Sequence, residues 1–248
     1  MDFEGRKELF RVLVGSHNYN LNTETSDKDY KLFVAPTFND LYFNNQFSKS
    51  YIGETEDYDV HDIRKISSLW WKSNVNFLEV LFSKKFLIPD NIDIKTKFLI
   101  TEIYNMRNEI VKMNLPYLYN ACIGMHINKK KQVDKGTQGT QHLVNKYGYD
   151  TKQAMHSIRI LDFLIRFANN NFTDFKKAIW YEKDECNRKW LLNIKNGVYS
   201  KSDFESMAEY MLSIAKEHEE KYKTQKPNEK TNQFLLKIVK EIVRNELD

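Results

Sequence analysis

Apolar and polar positions change period along this chain, and the change divides it. Near the start, Leu9-Phe10-Arg11-Val12-Leu13-Val14 is a short apolar, β-branched run stopped by Gly15-Ser16, which predicts a strand. Residues 17–26, rich in Asn, Thr and Ser, read as a loop with room for one helical turn. From Asp27 to Ala35 the pattern alternates and then turns apolar until Pro36 ends it, a second strand; Thr55 to Ile63 alternates again, a third. Beyond Ile63 the spacing becomes helical through Ile66, Leu69, Trp70, Phe77, Leu78, Leu81 and Phe82, with a break at Ser73–Asn76. After Pro89-Asp90 helices are predicted over 95–113, 116–127, 151–169, 174–183, 202–222 and 231–246. Residues 129–149 are the least regular part of this half, 192–197 read as a short strand or extended connector, and 223–230 as a linker.

The pattern therefore predicts an α+β protein. An N-terminal mixed sheet with helices spans 1–94, and a mostly helical domain spans 95–248. With 248 residues the chain can bury a sizeable core, so neither disulfides nor a structural metal is required. The 41% hydrophobic and 29% charged content, with 8 Gly and 4 Pro, excludes collagen-like, low-complexity and wholly disordered classes. No apolar run approaches the ~20 residues of a membrane span. The start lacks the basic-then-apolar order of a secretory signal. Two cysteines without a CxxC pair argue for a reducing compartment and against a thiolate zinc site. A cytoplasmic location with no membrane partner is the expectation.

Net charge is only +4, but it is unevenly placed. Between His126 and Arg159, Lys129, Lys130, Lys131, Lys135, Lys146, Lys152 and Arg159 face only Asp134 and Asp150. That segment carries 7 − 2 = +5, leaving about −1 elsewhere. Such a segment suits a phosphate-bearing ligand as well as it suits a solvated face.

The sharpest chemistry lies at Gly15-Ser16, followed eleven residues later by Ser26-Asp27-Lys28-Asp29. Residues two apart on a strand share a face, so Asp27 and Asp29 project together and can converge on Mg²⁺ or Mn²⁺. A glycine after a strand permits close approach of backbone, and exposed amides with the Ser16 hydroxyl can hold phosphate. On the helix over 151–169, Lys152, His156 and Arg159 fall at i, i+4 and i+7, on one face.

These motifs resemble the DNA polymerase β nucleotidyltransferase superfamily, and within it the RNA-ligase-associated branch. The stretch VLVGSHNYNLNTETSDKDYKLFVAP carries the strand, Gly-Ser and Ser-Asp-x-Asp order; DVHDIRKISSLWWKSNVNFLEVLFS, KQAMHSIRIL and LLNIKNGVYS are similar to downstream segments of that branch. The resemblance runs from residue 12 to about 200. It departs at Asn20 and Val75, where the branch has Gly and Pro, and at Lys195, where it has Arg.

The resemblance implies a metal-dependent enzyme (an EC 2.7.7-type nucleotidyltransferase) moving an NMP from an NTP, ATP foremost, to a hydroxyl with release of pyrophosphate. An RNA or tRNA end is the favoured acceptor. Nucleotidylation of a Tyr, Ser or Thr on a protein is the alternative, as is a non-catalytic nucleotide- or RNA-binding regulator. A third carboxylate is implied on a neighbouring strand; Asp59 is the choice and Asp57 the runner-up. Asp27, Asp29 and Asp59 are then the expected catalytic and metal residues. Gly15, Ser16, Lys152, His156 and Arg159 are the expected nucleotide contacts, with the helix over 151–169 implied to close the cleft opposite the Gly-Ser turn. Glu79 is read as a buried acid outside the site.

Overall fold

The computed structural model describes residues 3–24 and 26–247. In chain order the elements are β1 (Glu8–Val14), α1 (Ser16–Tyr19), β2 (Lys28–Val34), α2 (Phe38–Tyr42), β3 (Ser48–Tyr51) and β4 (Glu56–Asp62). Next come α3 (Lys65–Trp71), α4 (Val75–Leu78), a 3₁₀ turn (Glu79–Phe82), β5 (Phe86–Leu87), α5 (Ile94–Asn105) and α6 (Arg107–Lys112). Helices α7 (Leu115–Gln132), α8 (Gln141–Tyr147), α9 (Thr151–Asn169), α10 (Phe175–Ile179) and α11 (Cys186–Lys195) follow. The chain ends with α12 (Lys201–Glu217), α13 (Glu219–Lys223) and α14 (Glu229–Asn245). The protein is α+β, with a five-stranded mixed sheet. Among the described residues, no helix is long and apolar enough to cross a membrane.

Two compact units divide the chain at 114 and 226: residues 1–114 with 227–248, and residues 115–226. This is a different division from one at residue 94. Helices α5 and α6 pack with α14, which also packs on α3, so 95–114 and the C-terminal helix belong with the sheet. Thr231, Leu235, Ile238, Val239 and Ile242 recur at helical spacing and form the buried stripe of α14.

In the first unit the sheet order is β3-β4-β2-β1-β5, with β2 and β4 parallel and the other pairs antiparallel. Tyr30, Leu32, Val34 and Val60 pack on one face with Leu13, Phe47 and Tyr58. On the other, Phe33 stacks on Phe10 at 4.7 Å and meets the edge of Phe77 from α4. Trp70 is fully buried and donates its indole N–H to Phe77 O at 2.9 Å, which makes it core. The break between α3 and α4 forms as expected: Ser73 is left-handed (φ 50°), and the Asn74 side chain caps α4.

Several elements escape the sequence pattern, α2 and β5 among them. The edge strand β3 is Ser-Lys-Ser-Tyr, mostly exposed, so it has no apolar alternation to announce it. Residues 192–197, expected to be extended, instead end the helix α11; Leu191 and Ile194, both fully buried, are i and i+3 of that helix, and Gly197 (φ 70°) follows its end. The 129–149 stretch is also more regular than expected, because α7 runs on through Lys129–Gln132 and α8 occupies 141–147. Lysines at the end of α7 sit favourably against its negative dipole end.

Arg6 and Asp40 anchor α2 to the chain ahead of β1. The guanidinium holds the nearly buried carboxylate bidentately at 2.8 and 2.7 Å, and the Thr37 capping box adds two donors. Hydrogen bonds from Arg6, with those from Thr37, pull the Asp40 carboxyl down to about 2. A lowered folded-state pKa contributes stability above the unfolded value of ~3.9 and loses it as pH falls toward 2. Asp40→Asn is expected to cost about 2 kcal/mol at pH 7. Urea unfolding at pH 7 and pH 2.5 checks it: the difference from wild type must shrink at the lower pH.

Candidate active site

Gly15 ends β1 with φ 69° and ψ −146°, a combination that essentially only glycine adopts. A Cβ built there would lie 2.5 Å from Asp29 Oδ2, so the Asp29 carboxylate rests where any other side chain would begin. The register explains the meeting, since Val14 at the end of β1 pairs with Asp29. Helix α1 starts at Ser16, is a single turn and is closed by Asn20 in the left-handed region (φ 63°, ψ 34°), its N–H donating to Ser16 O. Asn tolerates that conformation better than other non-glycine residues. Gly15→Ala is expected to destabilise by roughly 1–3 kcal/mol and to push Asp29 away. Thermal unfolding together with a crystal structure of the variant tests both effects.

Beneath this turn lies Glu79, 2% exposed, at the start of the 3₁₀ turn. Its carboxylate accepts hydrogen bonds from Gly15 N (3.2 Å), Asn18 Nδ2 (3.1 Å) and the Tyr19 hydroxyl. The Gly15 amide is thereby directed at Glu79. Of the expected phosphate-holding groups in the turn, the half-buried Ser16 has the side chain suited to the task. The sequence gives no sign of this role for Glu79, because its three donors are 60 to 64 positions away.

Asp29 is half-buried on β2, and Asp27 is exposed one residue before that strand. In the parallel β2–β4 pair, Asp29 stands opposite Asp57, Lys31 opposite Asp59, and Phe33 opposite His61. Asp29 and Asp57 are thus neighbours on one face, at the ~4.8 Å spacing of adjacent strands. Asp57 Oδ1 accepts a hydrogen bond from Gly53 N at 3.2 Å.

Asp59 has a different environment. Its Oδ2 lies 2.7 Å from Lys31 Nζ and 2.7 Å from His61 Nε2, and its Oδ1 accepts from Ser50 Oγ at 3.2 Å. The His61 contact is short but not directed along the ring N–H. Burial alone would raise the Asp59 carboxyl, but His61 and Lys31 overcome that and hold it well below the usual carboxylate range. The carboxylate chosen from the sequence is therefore committed to an internal network, whereas its neighbour Asp57 stands beside Asp29.

Among the described residues, no three His, Cys, Asp or Glu side chains are gathered into a ready metal cluster. The donor chemistry nonetheless fits a divalent cation. Asp27, Asp29 and Asp57 are all-oxygen ligands of the kind Mg²⁺ and Mn²⁺ take, and two of them are already on one rung of the sheet.

Lys152, His156 and Arg159 lie in the second unit, on α9, whose first turn is capped by Asp150 accepting from Gln153 N. Arg159 is buried (4% exposed), His156 half-buried and Lys152 exposed. Burial pushes the His156 imidazole well below its ordinary value, and the charges of Arg159, Lys129, Lys152 and Lys195 push it further. The expected site residues therefore form two groups: Gly15, Ser16, Asp27, Asp29 and Asp59 in the first unit, and the α9 residues in the second.

No family model matches the chain, and no curated protein matches its sequence. Among solved structures, a nucleotidyltransferase-like protein from Exiguobacterium sibiricum is similar to it at 10% identity and a TM-score of 0.28, over 98% of this chain and 70% of its own.

Proposed function

We propose that this protein is a nucleotidyltransferase that moves a nucleoside monophosphate from an NTP, ATP foremost, to a hydroxyl. The observation that carries the reading is the pairing of Asp29 with Asp57 across parallel strands, beside a glycine turn that Asp29 itself touches. Paired carboxylates on one rung repel, by ~3–4 kcal/mol at an effective dielectric of 20 for charges ~4–5 Å apart. A cation held between them would remove that cost.

Asp27, Asp29 and Asp57 would hold Mg²⁺ or Mn²⁺, which when bound neutralises the phosphate oxygens and the entering and leaving groups of the displacement. The protein's own groups supply the remainder. Ser16 donates its hydroxyl to a phosphate oxygen. Asp57 accepts the proton of the acceptor hydroxyl as general base. The acceptor oxygen bonds to the α-phosphorus, the bond from that phosphorus to the α–β bridging oxygen breaks, and pyrophosphate leaves with the electron pair. Gly15, held to Glu79, fixes where Ser16 and Asp29 stand. Lys152, His156 and Arg159 are proposed phosphate contacts of the second unit. The +5 segment of residues 126–159 favours RNA as the acceptor.

The test is incubation of the protein with Mg²⁺ or Mn²⁺, each α-³²P-labelled NTP in turn, RNA and cell protein, beside the Asp27→Ala/Asp29→Ala variant. Label transferred by wild type alone supports the transferase, and its sensitivity to nuclease or protease names an RNA or a protein acceptor. NTP binding without any transfer would replace this reading with that of a non-catalytic regulator.

A further inference from the structure

The sheet face that carries Asp29 and Asp57 has a second chemical centre farther along its strands. Ser48 on β3 stands opposite His61 on β4, and Ser50 stands opposite Asp59. Asp59 and His61 are two apart on one strand, so both project from that face. Ser48 Oγ lies 3.0 Å from His61 Nδ1, and Asp59 Oδ2 lies 2.7 Å from His61 Nε2. Strand pairing, not a loop, sets this line of three. His61 is 7% exposed, its ring packed against Phe33 and Phe77 at 6.1 and 4.9 Å. Ser48 is exposed, and with His61 it lines a cavity of about 350 Å³ whose walls include Lys65, Leu69 and Phe77. Cavities that hold small ligands begin near ~300 Å³. We propose that Ser48, His61 and Asp59 form a second catalytic site, which hydrolyses carboxylic esters with a small apolar acyl group.

The order is nucleophile, base and orienting acid. Asp59 beside Nε2 favours the tautomer protonated there, which leaves Nδ1 to accept from the Ser48 hydroxyl. The Nε2 contact is bent, and bent contacts of this kind tighten when substrate closes on them. Lys31, 2.7 Å away, keeps Asp59 a carboxylate that can steady the imidazolium once His61 takes a proton. Lys65 is half-buried on the cavity wall, and among the described residues no acid pairs with it. One free ammonium suits the single oxyanion of acyl transfer. A phosphoryl group would bring more negative charge, and Lys31, the next cation along the sheet, is already neutralised by Asp59. Leu69 and Phe77 offer the acyl chain an apolar wall.

Ser48 Oγ bonds to the acyl carbon as its proton passes to His61 Nδ1, and the carbonyl electron pair moves onto the oxygen facing Lys65. As that pair returns, the bond from carbon to the alcohol oxygen breaks, and the leaving oxygen takes the proton from Nδ1. Water then repeats the sequence: it loses a proton to Nδ1 and bonds to the acyl carbon. Ser48 leaves with that proton, and the products are an acid and an alcohol. Neither Asp29 nor Asp57 takes part.

A fluorophosphonate probe, which bonds to activated serines, tests the site in the full-length protein, with peptide mass spectrometry to locate the label. Label is expected on Ser48, together with hydrolysis of p-nitrophenyl butyrate. Ser48→Ala changes an exposed edge position, so it should fold as wild type and lose both. His61→Gln should slow labelling by ~10²-fold. Asp59 acts through His61 as a positioning residue, so the ring itself is its readout. Long-range ¹H–¹⁵N spectra should show the Nε2–H form in wild type and a move toward Nδ1–H in Asp59→Asn, with labelling slowed about tenfold or more. Absence of label on Ser48, label on Ser68 in its place, or equal labelling of His61→Gln overturns the site. An unchanged tautomer and rate in Asp59→Asn overturns it too. Nucleotide transfer should be unaltered in Ser48→Ala; a parallel loss of transfer would make Ser48 part of the transferase and overturn a second site.

Discussion

Asp57→Asn is expected to lower the rate of nucleotide transfer on the order of 10³-fold, about 4 kcal/mol of barrier, with little change in melting temperature. Asp59→Asn should do the reverse. Asp57 is half-buried and accepts a 3.2 Å hydrogen bond from Gly53 N, so an amide of the same shape keeps the fold. What it loses is the charge facing Asp29 on the neighbouring strand. Asp59, by contrast, neutralises Lys31, a side chain 9% exposed that also lies over the Phe77 ring at 4.5 Å. Removing that charge leaves a buried ammonium without its partner, for an expected loss of about 3 kcal/mol in stability. The folded fraction of Asp59→Asn should retain transfer within about fivefold. Single-turnover transfer and urea unfolding of both variants decide the matter. Loss of transfer in Asp59→Asn with retention in Asp57→Asn would return the third carboxylate to Asp59.

Glu79→Ala is expected to be the most destabilising single change near the site, by about 3 kcal/mol or more. It strips a common acceptor from Gly15 N–H, Asn18 and Tyr19 in a place that is 2% exposed. Each buried donor left without an acceptor costs roughly 1–3 kcal/mol. Glu79→Gln separates this role from simple bulk. An amide offers one accepting oxygen and presents an NH₂ to the other donors, so the turn must shift although the volume is unchanged. For Glu79→Gln we expect a smaller fall in stability, faster hydrogen exchange at Gly15 and a raised KM for NTP. Unchanged Gly15 exchange in a folded Glu79→Gln protein would remove Glu79 from its positioning role, whatever the activity.

Much of the framework was written in local pattern. The runs ending at Val14 and at Val34, the turn after Gly15, the break at Ser73 and the 19-residue helix beginning at Thr151 all follow from periods and caps carried by a few adjacent residues. Where the local signal is weak, the sequence misleads. Strand β3 is polar because it is an exposed edge, and the end of α11 looks extended because two apolar residues fit either period. That α14 packs with α5 and α3 was not legible, because it joins them from more than a hundred residues away through an apolar stripe whose partner no local pattern names.

The candidate site divides the same way. Which residue types are available was set by sequence alone: a glycine that ends a strand, a serine to begin a helix, carboxylates two apart, and three cationic or protonatable groups on one helical face. Which of them act together was decided by pairings between distant segments. Alternation along β4 places Asp57 and Asp59 on the same face and cannot choose between them; only the parallel register with β2 sets Asp57 beside Asp29 and gives Asp59 to Lys31. Glu79 meets the glycine turn through a hydrogen bond spanning 64 residues, and the end of α11 meets the start of α9 through one spanning 44. Local propensity and period act over a turn or a few strand residues. Burial and charge pairing act across space, and space is fixed only once the chain has folded.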